Sequence, residues 1–374
     1  MSINLRALWS FEKKRGAGHT RRINSNMQYS KTYRLFPKLY RAANLIAILG
    51  AAFCFTGWAT VAKAQDTEDT VRTDISLVQL NVGVVDRQGR AVTSLSKNDF
   101  VVYEDGVKQS IQQFEPVDAP FSLVLLLDMS GSTINFRQQL KLASTRFLDV
   151  LAPDDRVAVI QFNAKVKSLT GFTVDRNKSA YAINTLAEGA GETYFYAAIK
   201  YALHELEKEG KRRKAIVVLT DGLDTQLRKA DRETVARAQT DAEALAVIKP
   251  EASTELNTVL AAADRQGVTI YPLALPSGDP KRLPIPGPDI TGIYSAARTR
   301  LQTLAERTGG RLNEINRLEN MARLYSEVAA DLRTLYTVAY QANGERPRGK
   351  WHEIRIEVTN PGLIARTRPG YYAR

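Results

Sequence analysis

Cysteine and histidine are the scarce residues of this 374-residue sequence, which has one cysteine, Cys54, and three histidines. Cys54 lies in an apolar N-terminal segment, so the chain that follows has no thiol for a disulfide or for nucleophilic chemistry. None of the candidate metal-binding loops contains His19, His204 or His352. We expect all three histidines at the surface.

Net positive charge is also small once the N-terminus is set aside. The formal net charge is +12, yet residues 1–42 hold ten Lys and Arg against a single acid, Glu12. The chain beyond residue 64 is close to neutral, at about +2. Nucleic-acid binding needs a basic patch on the folded domain, so we expect no nucleic-acid partner. Residues 1–42 are interpreted as a solvated basic region or part of a targeting signal.

An apolar segment follows the basic region. Residues 43–65, ANLIAILGAAFCFTGWATVAKAQ, contain no acid and end near Ala62-Lys63-Ala64, a small-x-small cleavage pattern. The segment predicts the signal peptide of an exported bacterial protein, located in the periplasm or outside the cell. Its long basic lead leaves two alternatives: an internal start at Met27, or an uncleaved anchor in the inner membrane through residues 43–62.

Strand patterns occupy both ends of the remaining chain. Residues 73–118 include the alternating run ISLVQLNVGVVD and the hairpin pattern FVVYEDGVKQSIQQF, with its turn at Asp105-Gly106. Residues 333–374 add LYTVAYQ, WHEIRIEVT and LIARTRPGYY. Neither segment has enough strands to close a sandwich, so we expect the two to pack together as one domain.

Strands and helices alternate between these two segments, in residues 119–332. FSLVLLLD, RVAVIQFN, KAIVVLTDG and GVTIYPLAL are nearly continuous apolar runs, as expected for strands covered on both faces. Helical patterns separate them. The predicted fold class is therefore α/β, with a doubly wound, mostly parallel sheet and helices on both faces, beside a smaller β-sandwich-like domain.

Oxygen-bearing side chains gather in three loops at the expected carboxyl edge of this sheet, where ligands bind in such folds. The first loop is Asp128-Met129-Ser130-Gly131-Ser132, the second is Gly189–Thr193 (GAGET), and the third is Asp221-Gly222. If Glu192 is left aside, the loops offer two carboxylates and three hydroxyls, with no His or Cys, a set that favours Mg²⁺ or Mn²⁺ over zinc. Taken alone, the first loop fits N-capping of the next helix equally well.

The motifs DMSGS, GAGET and TDG together resemble the three loops of the metal-ion-dependent adhesion site of von Willebrand factor type A (VWFA) domains. The resemblance covers residues 119–332 and implies a Rossmann-like fold. The terminal strand patterns resemble those of an exported bacterial VWFA-related subgroup. Many VWFA domains have Gly-Gly-Thr in the second loop, where this chain has Glu192 at the central position. The metal ligands that the resemblance implies are Asp128, Ser130, Ser132, Thr193 and Asp221.

The resemblance also implies a function: an exported module that uses a divalent cation to bind an acidic side chain of a partner protein. Tyr194, Phe195 and Tyr196 are candidate aromatic contacts at the rim, with helix packing as the alternative. The alternative function is a structural or assembly subunit of a cell-envelope complex, in which the metal only stabilises the fold. We expect no enzymatic activity, because a phosphoaspartyl hydrolase needs a second Asp where Ser130 stands, and GAGET lacks the Gly-Lys-Ser/Thr of a phosphate loop.

Overall fold

The computed structural model of the protein describes residues 77–210, 212–279, 287–342, 347 and 349–373. The predicted basic region, the signal segment with Cys54, and the alternative start at Met27 lie outside the described residues. Among the helices that are described, none is long and apolar enough to cross a membrane.

Strands occupy both ends of the described chain, and strands alternate with helices between them. The N-terminal strands are β1 (Leu77–Asp86), β2 (Phe100–Glu104), β3 (Val107–Gln109) and β4 (Ile111–Glu115). The central elements are β5 (Phe121–Asp128), α1 (Arg137–Asp149), β6 (Arg156–Phe162), β7 (Val166–Thr173), α2 (Arg176–Tyr181), α3 (Phe195–Glu207), β8 (Arg213–Thr220), α4 (Thr225–Val235), α5 (Asp241–Val247), α6 (Thr254–Gln266), β9 (Thr269–Ala274), α7 (Pro288–Arg307), β10 (Asn313–Glu314) and α8 (Met321–Leu332). The C-terminal strands are β11 (Leu335–Gln341), β12 (Trp351–Val358), β13 (Leu363–Arg366) and β14 (Gly370–Tyr372).

The central elements are built on a six-stranded sheet with the order β10-β9-β8-β5-β6-β7. All neighbours pair in parallel except β7, which runs antiparallel to β6 at one edge. Strands β5 and β8 lie side by side in the middle, with Leu127 paired to Leu219. This register brings the loops that follow the two strands to the same edge of the sheet.

Helices cover both faces of this sheet because successive residues of its buried strands point to opposite sides. On β5, Leu123 and Leu125 pack in one apolar cluster with residues of α1 and α8. Val124 and Leu126 pack in a second cluster with residues of α3 and α6. Every residue of β5 is buried. The nearly continuous apolar run in the sequence therefore reflects a strand that faces a core on each side.

The terminal strands form two four-stranded sheets, with the orders β13-β1-β11-β4 and β14-β12-β2-β3. Each sheet combines strands from both ends of the chain: β1 pairs with β11, and β2 pairs with β12. A separate apolar cluster, with Leu80, Val102 and Tyr336 among its members, lies between them. The predicted fold class, a doubly wound α/β domain beside a smaller β region, is confirmed. The bounds 73–118, 119–332 and 333–374 stay a prediction.

Arg213 lies where the chain passes between the central six-stranded sheet and the two terminal sheets. It is the first residue of β8 and is fully buried. Its guanidinium donates hydrogen bonds to the carbonyl oxygens of Val117 and Ala119, before β5, at 2.7 and 3.1 Å. It also donates to those of Leu332, at the end of α8, and Leu335, at the start of β11, at 2.8 and 2.5 Å. One side chain thus holds both connections.

The structure differs from the sequence-based expectations in a few elements. Strand β7 was not predicted, because it is an edge strand of mixed exposure and has no apolar run. The charged, Ala-rich residues 226–266 predict two helices, whereas the structure has three α-helices there, α4, α5 and α6. The Pro- and Gly-rich residues 276–292 predict a loop, yet helix α7 begins within them, with Pro288 at its first position, a common place for proline.

The prediction that all histidines are at the surface is wrong for His352. Its side chain points inward from β12 and is 5% exposed, because it lies on the buried side of an alternating strand. Its Nδ1 lies 2.8 Å from the Asp105 carboxylate. His204 is exposed, as expected.

Candidate metal centre

The first predicted loop leaves the carboxyl end of β5 and carries Asp128, Ser130 and Ser132. Asp128 is fully buried. Its Oδ1 accepts a hydrogen bond from the Ser130 N–H at 3.0 Å, and its Oδ2 accepts one from the Thr220 hydroxyl at 2.7 Å. Because Thr220 is the last residue of β8, this second bond joins the ends of the two central strands.

The third predicted loop begins at Asp221, immediately after β8. The Asp221 side chain is buried, and its Oδ1 accepts a hydrogen bond from the Leu223 N–H at 3.1 Å. Its Oδ2 is buried and makes no hydrogen bond of good geometry to any described residue. A buried carboxylate oxygen without a partner is costly, unless a proton or a cation satisfies it.

Asp128 and Asp221 form a pair of buried carboxyl groups. Burial raises the pKa of both, and the nearby charge of Asp221 raises the pKa of Asp128 further. The Ser132 hydroxyl near Asp221 opposes this rise only in part. Two carboxyl groups in such surroundings favour either retention of a proton or a bound cation that balances their charge.

Backbone contacts tie the second loop to the other two. The Gly131 N–H of the first loop donates to the Gly191 carbonyl oxygen at 3.0 Å. The Thr193 N–H donates to the Thr225 hydroxyl at 2.9 Å, and the Thr193 carbonyl oxygen accepts from the Thr225 N–H at 2.8 Å. Thr225 begins α4, just after the third loop. The five predicted ligand residues therefore lie in three interconnected loops at one edge of the sheet.

The two serines of the first loop do not act as simple helix caps. Ser130 precedes a short 3-10 helix, Gly131–Phe136, but its side chain makes no capping hydrogen bond. Instead its Oγ lies 3.1 Å from the Oγ of Ser132. N-capping therefore does not account for the hydroxyl of Ser130.

A family model for the von Willebrand factor type A domain matches residues 123–223, which contain all three loops. The chain carries a von Willebrand factor type A domain. Curated proteins provide no match to the sequence. The type A domain thus accounts for the central sheet from β5 to the loop after β8, and the terminal strands lie outside the matched residues.

Solved structures similar to this chain include proteins from bacteria and from a mussel. One is an aerotolerance-related membrane protein from Bacteroides fragilis, with 16% identity over 57% of this chain and 98% of that one, and a TM-score of 0.40. Another is the vWF domain of the type V pili tip protein Mfa5 from Porphyromonas gingivalis, with 14% identity, coverages of 61% and 98%, and a TM-score of 0.41. A third is proximal thread matrix protein 1 from the mussel byssus with a zinc occupied MIDAS motif, with 14% identity, coverages of 61% and 49%, and a TM-score of 0.40. At these identities the likeness concerns the fold alone.

A cavity of about 330 Å³ opens on the loop edge of the type A domain. Ser132 and Thr193 reach its wall, while Asp128, Ser130 and Asp221 do not line it. Glu192 and Arg228 also line it. A larger cavity of about 720 Å³ lies between the terminal sheets and the opposite end of the type A domain, lined by residues of mixed charge such as Glu306, Arg311 and Asp331. Because Arg311 and Asp331 pair with each other there, we place the candidate site at the smaller cavity.

Some residues that shape the centre were not predicted. The Thr133 hydroxyl donates to the carbonyl oxygens of Asp128 and Ser130, and the Arg137 guanidinium donates to that of Ser130. Thr220 bonds to Asp128, as described above. No local sequence pattern indicates Thr220, because its role depends on the in-register pairing of β5 with β8.

Of the three aromatic candidates for the rim, two follow the helix-packing alternative. Phe195 and Tyr196 are buried in the core between α3 and the sheet, because the helix begins at Phe195 and packs through these side chains. Tyr194 is partly exposed, and its hydroxyl donates to the Glu192 carboxylate at 2.8 Å. Glu192 therefore lies at the cavity, where a hydrogen bond from Tyr194 orients its carboxylate.

The donor set of the type A domain fits a hard divalent cation. Across the described residues, no group of three or more His, Cys, Asp or Glu side chains gathers around a common point. The predicted set has only two carboxylates, and its other three oxygens are hydroxyls. Together with the unpartnered Oδ2 of Asp221, this composition suits Mg²⁺ or Mn²⁺ and offers nothing to a softer metal.

Proposed function

We propose that the protein is an exported binding module whose type A domain holds Mg²⁺ or Mn²⁺ and binds an acidic side chain of a partner protein. The observation that carries this proposal is the buried, unpartnered Oδ2 of Asp221 beside the buried carboxyl group of Asp128, beneath an open cavity. When bound, the cation supplies a position that accepts a carboxylate oxygen. The residues that would hold it are Asp128, Ser130, Ser132, Thr193 and Asp221.

The surrounding residues determine from which side a partner approaches. Asp128 and Ser130 are fully buried and oriented by bonds within the first loop. Ser132 and Thr193 reach the cavity, so the partner's carboxylate enters between the first and second loops. The Thr193–Thr225 bonds fix the distance between the second loop and α4.

Two further parts of the proposal come from outside the centre. Export is proposed from residues 43–65, either as a cleaved signal or as an anchor. Type A domains are generally non-catalytic and generally bind protein ligands. We therefore propose a protein partner and no reaction.

One observation also favours a second candidate, a structural subunit of a cell-envelope complex. Asp128 and Asp221 are both buried, so a cation between them would stabilise the fold whether or not a partner binds. In that case the cation would be permanent and would not respond to a ligand.

Calorimetry with Mg²⁺, Mn²⁺ and Ca²⁺ tests the metal centre. We expect saturable heat with wild type and none with Asp128→Ala, because the substitution removes one of the two carboxylates. Asp149→Ala is the control, since Asp149 is exposed at the end of α1. Absence of heat with wild type would sink the proposal.

Pull-down from a cell-envelope fraction, with and without a chelator, then separates the two candidate functions. Capture that needs the cation and is lost in Asp128→Ala supports metal-bridged binding. Capture that a chelator does not affect, by a protein that retains its metal, favours the structural subunit.

A further inference from the structure

Three basic side chains stand on one face of α4, beside the candidate metal centre. Arg228, Lys229 and Arg232 follow Thr225 by three, four and seven residues, a spacing that places all four on the same helix face. The three basic side chains are exposed, whereas Asp231 is buried on the other side of the helix. We call Arg228, Lys229 and Arg232 the basic face of α4.

The basic face continues the surface of the metal centre. Thr225 and Arg228 line the 330 Å³ cavity together with Ser132 and Thr193. Thr225 and Arg228 also line a neighbouring cavity of about 210 Å³, with Lys229 and Arg232 as its other lining residues. A ligand that leaves the metal centre along α4 therefore meets these three cations in succession.

Helix stability explains only part of the basic face. Arg232 lies in the last turn of α4, where the helix dipole favours a cation, whereas Arg228 lies near the start of the helix, four residues after the N-cap Asp224, where the dipole disfavours one. Arg228 and Arg232 are also a like-charged pair four residues apart, which is unfavourable in a helix. The helix dipole therefore accounts for Arg232 but not for Arg228.

The described neighbours offset only part of these charges. Asp231 pairs with Arg300 on α7 at 2.6 Å, away from the basic face. The acids near Arg228 are Glu192, which lines the first cavity with it, and the buried Asp221, which interacts with it electrostatically, and neither forms an ion pair with it. Glu233 lies four residues after Lys229, and within the described part of the chain no acid comes within 4 Å of any of the three cations. The basic face thus keeps a net positive charge.

We propose that the basic face of α4 binds further acidic groups of the same partner segment, so that the site recognises an extended acidic peptide. This inference rests on the proposed function, because the first carboxylate is the one at the metal centre. Arg228 and Arg232 are one helical turn apart, about 6 Å along the axis. Alternate residues of an extended chain are spaced by about 6.6 Å, so acids at every second position match the basic face.

Two labelled nine-residue peptides test the inference. One carries a single Asp among Gly and Ser, and the other carries three Asp at alternate positions. Their affinities are measured by fluorescence polarisation in Mg²⁺ and in EDTA. The proteins are wild type, the basic-face variant Arg228→Ala/Arg232→Ala, and the control Arg146→Ala/Lys200→Ala, which removes two exposed cations on α1 and α3.

We expect wild type in Mg²⁺ to bind the three-acid peptide about fivefold more tightly than the one-acid peptide, since exposed ion pairs each contribute modestly. The basic-face variant should lose this preference, and the control should keep it. The preference should also shrink as NaCl rises from about 50 to 300 mM, because exposed charges are screened. A Mg²⁺ titration of the basic-face variant should show that cation binding is retained.

Two kinds of failure are distinguishable. If Mg²⁺ binds but wild type does not prefer the three-acid peptide, or the basic-face variant keeps the preference, the inference is wrong and the metal centre stands. If wild type binds no Mg²⁺, the proposed function is wrong, and this inference, which depends on it, is wrong as well.

Discussion

At the residue scale, the candidate metal centre places two carboxyl groups where the protein alone cannot satisfy them. Asp128 has two hydrogen-bond donors, whereas one oxygen of Asp221 has none of good geometry among the described residues. The metal-free protein therefore carries an electrostatic cost at this site. A substitution that removes one charge should lower that cost and abolish the benefit of the cation at the same time.

Asp221→Asn makes this prediction concrete. We expect the free energy of unfolding in EDTA to rise by about 1 kcal/mol, because one of two neighbouring buried charges is removed. The additional stability that Mg²⁺ gives wild type should be absent from the variant. Urea unfolding in EDTA and in Mg²⁺ measures both effects, with Asp149→Asn as the exposed control. A variant that Mg²⁺ still stabilises as strongly as wild type would contradict the ligand role of Asp221.

Gly189 is a second residue of the site at which a substitution should change the free energy of unfolding. A Cβ at Gly189 would lie 2.5 Å from Asn163 Nδ2 and 2.8 Å from the Met129 carbonyl oxygen. Gly189→Ala should therefore push the first and second loops apart and cost about 1–3 kcal/mol of unfolding free energy. Gly171→Ala is the matched control, since a Cβ there meets nothing within 4 Å. Equal stability of the two variants in urea unfolding would show that the loops are not closely packed.

The sequence allowed the carboxylates and hydroxyls of the site to be predicted, but not their supports. Asp128, Thr193 and Asp221 follow or precede recognisable elements, so their loops could be located. Gly189 and Thr220 gain their roles only from the neighbouring loop or strand that they contact. Such contacts depend on how close two distant segments come, which no local pattern reports.

At the element scale, buried strands were easier to predict than exposed ones. Strands β5 and β8 are buried along their whole length, and their apolar runs identified them. Strand β7 is an edge strand with mixed exposure, so it lacks such a run. Strand β4 follows β3 after a single residue, yet it leaves that sheet and pairs with β11. The hairpin pattern predicted the β2–β3 pair and gave no indication of this departure.

Helix α4 is the element that joins the second loop to the third. Thr225→Val keeps the shape of the side chain but removes the hydroxyl that accepts from the Thr193 N–H. We expect Mg²⁺ affinity to fall about three- to tenfold, because Thr193 is held less firmly. Unfolding free energy should change by about 1 kcal/mol. Calorimetry and urea unfolding measure the two quantities.

The control for this substitution is Thr258→Val on α6. Its hydroxyl bonds to the Thr254 carbonyl oxygen at 2.7 Å on an exposed helix face, away from the loops. Mg²⁺ affinity should not change in that variant. If Thr225→Val and Thr258→Val bind Mg²⁺ equally well, the link through α4 does not support the centre.

At the scale of the whole molecule, two segments distant in sequence share the same small sheets. The number of strand patterns at each end was enough to predict that they pack together. It was not enough to predict which strands pair, because register depends on residues more than 200 positions apart, such as Leu80 and Val338. The type A domain leaves and returns to these sheets through two connections that Arg213 holds together.

Arg213→Met tests the importance of that contact. Burial lowers the pKa of Arg213 only to about 10, so the guanidinium is charged at neutral pH and donates to four carbonyl oxygens. Met fills much of the volume but leaves these carbonyl groups without a donor. We expect a loss of about 3 kcal/mol in urea unfolding, against little change for the exposed control Arg146→Met. If Arg213→Met loses no more unfolding free energy than Arg146→Met, the connections do not depend on Arg213.

The paired connections have a mechanical consequence. A domain that is joined to its neighbour by one chain segment can rotate about that segment, which then carries any pulling force alone. Here a pull on a partner bound at the loops would divide between the segment before β5 and the segment after α8, with Arg213 bracing the two. Twisting would have to wind one segment around the other. The loop edge of the type A domain would therefore resist twisting relative to the small sheets, a property that the proposed binding function would need if the bound partner were pulled.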